Sequence, residues 1–332
     1  MSNYHIYGIG AALVDTEIEV SDQDLAKYGI EKGVMTLVDE SRQHELIDHL
    51  SDHLVASKRA SGGSAANTII AASYFGANNF YSCKVANDEN GEFYLQDMRD
   101  AGVDIPPNSA NESGITGKCL VMITPDAERT MNTFLGISET VSSNELHEPA
   151  IQNTQYAYIE GYLVTSETGR AAAIKLREQA EAHGVKTALS LSDPAMVQFF
   201  RDGLSEMIGN KVNLLFCNKE EAMGYTETES VEDAIEALKK VADEFAITLG
   251  SEGALIYDGN NVINIAPVAV KAIDTNGAGD MFAGAFLYGI THGYSHEQAG
   301  KLASAASAQV VSQYGPRLKA EQHQVLHNNI LG

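Results

Sequence analysis

Short apolar runs alternate with amphipathic stretches along most of the chain. HIYGIG (5–10), NFYSCKV (79–85), AYIEGYLV (157–164), VKTALSLS (185–192), VNLLFC (212–217) and FAITLG (245–250) read as buried strands. Between them, SAANTIIAASYFGA (64–77) is apolar on most faces, and Gly76 suits a helix stop. ETGRAAAIKLREQAEAHG (167–184) is amphipathic and ends in His-Gly. SVEDAIEALKKVADE (230–244) predicts a helix opened by Ser230, with Asp233 three residues on in the manner of a capping box. Strands separated by helices need crossover connections, so the pattern predicts a mostly parallel sheet with helices on both faces.

Residues 11–40 and 114–136 break this rhythm. TGKCLVMITPDAERTMNTFLG (116–136) reads as two strands around a Pro-Asp turn. On the second strand Arg129, Met131 and Thr133 share one face, a surface suited to covering a ligand. The expectation is a small β lid built from 11–40 and 114–136. The larger unit would then be discontinuous, comprising 1–10, 41–113 and 137–332.

Composition narrows the function. The 332 residues carry 22 Lys+Arg against 45 Asp+Glu, so the net charge is 22 − 45 = −23. Such a surface repels nucleic acid and anionic membranes unless a basic patch overrides it, and the chain has no Lys/Arg run. Cys83, Cys119 and Cys217 are odd in number and far apart, which reads as reduced thiols of a cytoplasmic protein. MSNYHIYGIGAALVD is not read as a secretory signal, and no stretch approaches the roughly 20 apolar residues of a membrane helix.

Several motifs fall short. There is no GxxxxGK[ST] phosphate loop, and GIGAALVD (8–15) lacks the third glycine of a dinucleotide fingerprint. HELIDH (44–49) has Asp48 where a zinc protease needs its second histidine. His49 and His53 are four apart, a spacing read as a solvated helix face rather than a metal site.

DTNGAGDMFAGAF (274–286) is different. Gly277, Ala278 and Gly279 leave backbone N–H groups accessible at a helix start, where the helix dipole favours an anion. Asp280 would sit in the first turn beside that anion, placed to accept a proton from an attacking hydroxyl. The bland alternative is a glycine-rich helix start whose aspartate only complements the dipole.

The full string DTNGAGD resembles the signature of the ribokinase-like, or phosphofructokinase B, family of carbohydrate and nucleoside kinases. The same family's motifs are resembled, in the same order, by SGGSAANT (61–68) with ANDENGEF and LQDMRDAGVD (86–104), by Asn218 and Glu221 in CNKEEA, and by TLGSEGAL (248–255). ALVD (12–15), TGKCLVMITPDAERTM (116–131), EGYLVT (160–165) and YGPR (314–317) are most similar to its adenosine-kinase branch.

That resemblance implies a ribokinase-like α/β fold: a three-layer α/β/α domain with a mostly parallel central sheet, plus a small β-sheet lid. It implies ATP-dependent phosphorylation of a primary (5′) hydroxyl, of adenosine first, as in purine salvage. Inosine or guanosine kinase, and a kinase of ribose, fructose or a keto-deoxy sugar, are the alternatives. A binding protein that has lost catalysis is the reading from another class. Asp280 would be the base, Gly277, Ala278 and Gly279 the anion hole, and Arg129 the cation at the transferring phosphate. Asp15 would take the vicinal ribose hydroxyls, with Gly62, Gly63, Ser64 and Asn67 beside the sugar and Met131, Thr133 and Tyr162 lining the base pocket. Asn218, Thr248, Gly250, Gly253 and Asn276 would border ATP. Glu221 would order Mg²⁺ through water, and Asp274 a monovalent cation such as K⁺. A monomer and a lid-mediated homodimer are both compatible with the resemblance. One departure stands out: Gly10 is followed by Ala11 where the adenosine-kinase branch carries Asn.

Overall fold

The computed structural model describes residues 4–50, 60–107 and 112–332. Its strands in chain order are β1 (Tyr4–Ile9), β2 (Leu13–Glu19), β3 (Met35–Leu37), β4 (Ala60–Gly62), β5 (Asn79–Ser82), β6 (Val103–Asp104), β7 (Thr116–Ile123), β8 (Arg129–Gly136), β9 (Thr154–Glu160), β10 (Lys186–Ser190), β11 (Val212–Asn218), β12 (Ala242–Thr248), β13 (Ala254–Tyr257) and β14 (Val262–Ile265).

Among the described residues the larger sheet runs β14-β13-β12-β11-β10-β9-β1-β5-β6. It is parallel from β12 to β6, and only β13 and β14 are antiparallel. Side chains alternate between two cores. Tyr156, Tyr158, Leu214 and Phe216 face the helices Ser64–Phe75, Glu89–Asp100, Ala278–Thr291 and His296–Val310. Ala157, Ile159, Leu215 and Cys217 face Glu167–Ala182, Pro194–Ile208 and Lys219–Thr226. A period of two with both faces covered is why these strands read as unbroken apolar runs.

The smaller sheet runs β3-β8-β7-β2-β4. The two expected strands around Pro125-Asp126 are β7 and β8, paired antiparallel from Thr116↔Gly136 to Ile123↔Arg129. Cys119, Val121 and Ile123 point to one face with Leu13, while Leu120 and Met122 point to the other. That second face is covered by Leu25 of the helix Asp22–Lys27 and by Leu46 and Leu50 of the helix Glu40–Leu50. Ala60–Gly62 and Glu40–Leu50 thus lie with the small sheet, although the sequence pattern assigned residues from 41 onward to the larger unit.

The helix predicted over 230–244 is shorter than expected. It covers Val231–Leu238, turns at Lys239–Val241, and the chain re-enters the sheet at Ala242. Ladder pairing of Val212 with Ala242 and Leu214 with Glu244 outweighs the helical periodicity there. Ser230 Oγ accepts from Asp233 N at 3.1 Å, the cap read from the sequence. Ser230→Ala should cost about 1 kcal/mol in urea unfolding, the usual value of a lost N-cap. AYIEGYLV also changes course early. The strand ends at Glu160, Gly161–Thr165 forms a 3₁₀ turn, and the close approach of Ser190 O, 2.3 Å from where a Cβ would be, requires glycine at 161. His49 lies on an exposed helix face, and the paired His53 falls outside the described residues.

Candidate active site

The carboxyl ends of β9, β10, β11 and β12, with Ala11 beyond β1, open into one cavity of about 870 Å³. The strand order reverses between β1 and β9, the place where open parallel sheets bind ligands. The inner face of the small sheet supplies the opposite wall through Leu13, Asp15, Met35, Cys119, Met131 and Leu135.

Asp280 lies in the first turn of the helix Ala278–Thr291, at the cavity wall. Burial of the helix from Met281 to Gly289 fixes it against Ser64–Phe75. Gly277 begins it with φ 74°, and a Cβ there would fall 2.5 Å from Pro316 O. Only glycine meets both conditions at no cost. Ser64 Oγ donates to Asp280 Oδ1 at 2.6 Å, and Asn67 Nδ2 donates to Oδ2 at 3.1 Å. Burial raises the pKa of Asp280, while these two donors, Arg129 and Arg317 oppose the rise. Gly277, Ala278 and Gly279 line the cavity, and the first N–H groups of a helix have no intrahelical acceptor. Ala278 N nonetheless reaches back to Thr275 O at 3.3 Å.

Asp15, on β2, is 7 % exposed, and its Oδ1 has no hydrogen-bond partner among the described residues. Burial, reinforced by Glu17, pushes its pKa up to about 8. Gly62 has a different task from the one expected of it. A Cβ there would lie 2.0 Å from Asp15 Oδ1, so the glycine makes room for the carboxylate rather than lining the cavity. Gly63 does line it, at φ 95°, with Ala11 O only 2.3 Å from where its Cβ would be.

Arg129, Met131 and Thr133 all reach the cavity from β8, as their alternation predicted. Arg129 is the cation among the described lining residues. Burial opposes its charge, but Tyr162, Asp193, Asp280 and Glu128 outweigh it and hold the guanidinium firmly protonated. Lys118 does not line the cavity, and Lys32 is engaged by Asp22 and Asp126. Tyr162 donates to Asp193 Oδ2 at 3.3 Å.

Thr248, Gly250, Gly253 and Asn276 border the same cavity beside Asn218 and Glu221. Asn218 and Glu221 form a reciprocal capping box: Asn218 N donates to Glu221 Oε2 at 2.9 Å, and Glu221 N donates to Asn218 Oδ1 at 2.8 Å. Burial raises Glu221 to about 7, so a cation would relieve it. Asp274 is fully buried and accepts from Asn276 N at 2.8 Å and Gly315 N at 2.9 Å. Burial and then Asp274 raise the neighbouring Glu17 to about 7. The Asn276 side chain lies against Glu17 and opposes that rise.

Three site residues escaped the sequence reading. Glu160 is 1 % exposed and ties Ala11 N (3.2 Å) to Ala65 N (2.7 Å), bridging the entry to the small sheet and a helix start. Asp193 caps Pro194–Ile208, and an Asp-Pro pair was its signal. Arg317, inside YGPR, lies behind Asn67 rather than in the cavity.

Residues 22–323 match the model of the pfkB family of carbohydrate kinases. The chain belongs to this family. It is a ribokinase-like phosphotransferase acting on an alcohol group. It is similar to the solved adenosine kinase of Sinorhizobium meliloti (TM-score 0.93, 31 % identity, 99 % of this chain and 100 % of that one). It is equally similar to a probable sugar kinase protein of Rhizobium etli CFN 42 (TM-score 0.93, 30 % identity, 100 % of both chains). Among curated proteins it is 27 % identical to the adenosine kinase of Saccharomyces cerevisiae, over 95 % of this chain and 96 % of the other.

Proposed function

We propose that this kinase transfers the γ-phosphate of ATP to the 5′-hydroxyl of a nucleoside, adenosine in the first place. The observation that carries the reading is Asp15: a buried carboxylate, one oxygen of which has no partner among the described residues, shares one cavity with Asp280. A carboxylate accepts two hydroxyl hydrogens at once, which suits the vicinal pair of a ribose. The apolar wall of Leu13, Met35, Met131 and Leu135 suits a flat base, and among the described residues Arg129 is the one lining cation, which leaves those residues little to hold a sugar acid.

In this reading Asp280 accepts the proton of the 5′-hydroxyl as its oxygen bonds to the γ-phosphorus and the bond from that phosphorus to the bridging oxygen of ADP breaks. Ser64 and Asn67 orient the base. The Gly277–Gly279 backbone and Arg129 offset the charge of the transferring group, and the small sheet acts as the lid that excludes water. Asn218, Thr248, Gly250, Gly253 and Asn276 border ATP. Glu221 and Asn218 fit Mg²⁺ held through water, where the ion would offset phosphate charge. Buried Asp274 with Glu17 beside it fits a monovalent cation. No helix among the described residues is long and apolar enough to cross a membrane. Purine salvage in the cytoplasm is the role this reading assigns. The outer face of the small sheet is covered by the chain's own helices, which favours a monomer over pairing through that face.

ADP release with MgATP across adenosine, inosine, guanosine, cytidine, ribose, fructose and 2-keto-3-deoxygluconate tests the proposal. Adenosine is expected to give the highest kcat/KM. A free sugar exceeding every nucleoside would overturn the substrate and favour the sugar-kinase reading that the Rhizobium relative's name suggests.

A further inference from the structure

Asn67 was expected to reach the substrate, yet both ends of its amide are engaged by protein. Its Oδ1 accepts from Arg317 Nε at 2.9 Å, and its Nδ2 donates to Asp280. An amide that flips exchanges donor for acceptor. Turned around, Asn67 would put its carbonyl oxygen against the Asp280 carboxylate and its NH₂ against a guanidinium, and both contacts would repel.

Arg317 is itself held. Its Nη1 donates to Asp97 Oδ2 at 2.9 Å and its Nη2 to Ser61 Oγ at 2.8 Å. Ser61 N also donates to Asp97 Oδ2, at 3.1 Å. Three donors of one planar fork thus meet three acceptors from the helix Glu89–Asp100, from β4 and from the helix Ser64–Phe75, a geometry that an ammonium cannot reproduce. The segment that carries Arg317 also braces the signature loop: Gly315 N donates to Asp274, and Pro316 packs against Gly277.

We propose that Arg317 is a positioning residue for phosphoryl transfer: through its bond to Asn67 Oδ1 it fixes the orientation of the Asn67 amide, and so holds Asp280 aimed into the cavity. The inference rests on Asp280 being the base. Arg317 does not line the cavity, so it acts without touching either substrate.

The test is a double-mutant cycle read as kcat and KM separately, with Tm in parallel. Arg317→Lys should lower kcat on the order of 30-fold, within the range that small misplacement of a reacting group costs. KM for adenosine and ATP should move less than about threefold, because ground-state contacts survive. In an Asn67→Ala background the same replacement should have almost no further effect on kcat, the coupling expected of residues acting through one contact. Asn67→Asp keeps the acceptor for Arg317 but opposes Asp280 with a second anion. It should lose kcat at least as severely. Independent, multiplying losses in the cycle would overturn the inference, as would a rise in KM at constant kcat or near-normal kcat in Asn67→Asp. If Arg317→Lys does not fold, Asp97→Asn takes its place in the cycle, because it loosens Arg317 Nη1 without touching Asn67 or Asp280. Asp280→Asn run alongside separates the two failures. An active Asp280→Asn enzyme sinks the base and this inference with it, whereas an inactive one beside an additive cycle sinks only the role of Arg317.

Discussion

Asp280→Asn should lower kcat by about 10³-fold, the middle of the range for removing a general base. That corresponds to about 4 kcal/mol of lost transition-state stabilisation. KM for the nucleoside should stay within a few-fold, since Asp15 and the apolar wall are untouched. The asparagine fills the same space, so the loss reports the missing proton acceptor. The wild-type pH profile should agree in sign. Burial raises the pKa of Asp280, and only the ionised form accepts a proton, so kcat is present above that pKa and is lost as pH falls through it. Stability should move the other way. A carboxyl whose folded pKa lies above its unfolded value is charged at a cost in the folded state. At pH 8 the asparagine variant should therefore unfold at higher urea than the parent, and near pH 4 the two should converge. Steady-state kinetics and urea unfolding at the two pH values check both halves, and a kcat within tenfold of the parent would remove Asp280 from the base role.

The fold was legible because its strands are buried on both faces. In VNLLFC only Asn213 is polar and Leu214–Cys217 are buried in succession, and the helices between the strands carry caps at Ser166 and Ser230. Legibility failed where tertiary pairing competed with periodicity. Residues 239–244 continue a helical pattern, but β11 offers Ala242–Glu244 a ladder, and the ladder wins. At the site, the signature loop and the alternation on β8 were visible because backbone geometry imposes them. What stayed hidden was which buried polar group answers which. Nothing local in YGPR says that Arg317 reaches Asn67, 250 positions earlier, or that Gly62 is small for the sake of Asp15. Glu160 was hidden for the same reason: its two acceptor bonds go to Ala11 and Ala65, residues whose side chains carry no chemistry.

Replacing Asp15 with Asn should lower kcat/KM for adenosine by about 10³-fold, because hydrogen bonds to a charged acceptor contribute about 1.5–3 kcal/mol each and two are weakened together. The pH dependence separates this from a packing defect. Burial first, then Glu17 and Asp280, raise the Asp15 pKa, with Arg317 opposing them, to about 8. The unliganded carboxyl is thus largely protonated at pH 7 and offers one acceptor fewer to a diol. Two ribose hydroxyls donating to it favour the carboxylate, so binding should release about one proton at pH 7. Affinity should then rise with pH up to about 8 and level off above it. Calorimetry of nucleoside binding in buffers of different ionisation enthalpy reads the proton directly. The Asp15→Asn enzyme should bind weakly, release no proton from this position and lose the slope. 2′-Deoxyadenosine, which lacks one of the two hydroxyls, should bind the parent less tightly and discriminate far less between parent and variant. The same raised pKa lowers the stability of the unliganded protein as pH climbs from about 4 toward 8, where unfolded aspartates are already ionised, and a bound diol relieves that cost. Equal proton release in parent and variant would place the ribose elsewhere in the cavity and leave Asp15 as a buried acid without a ligand role.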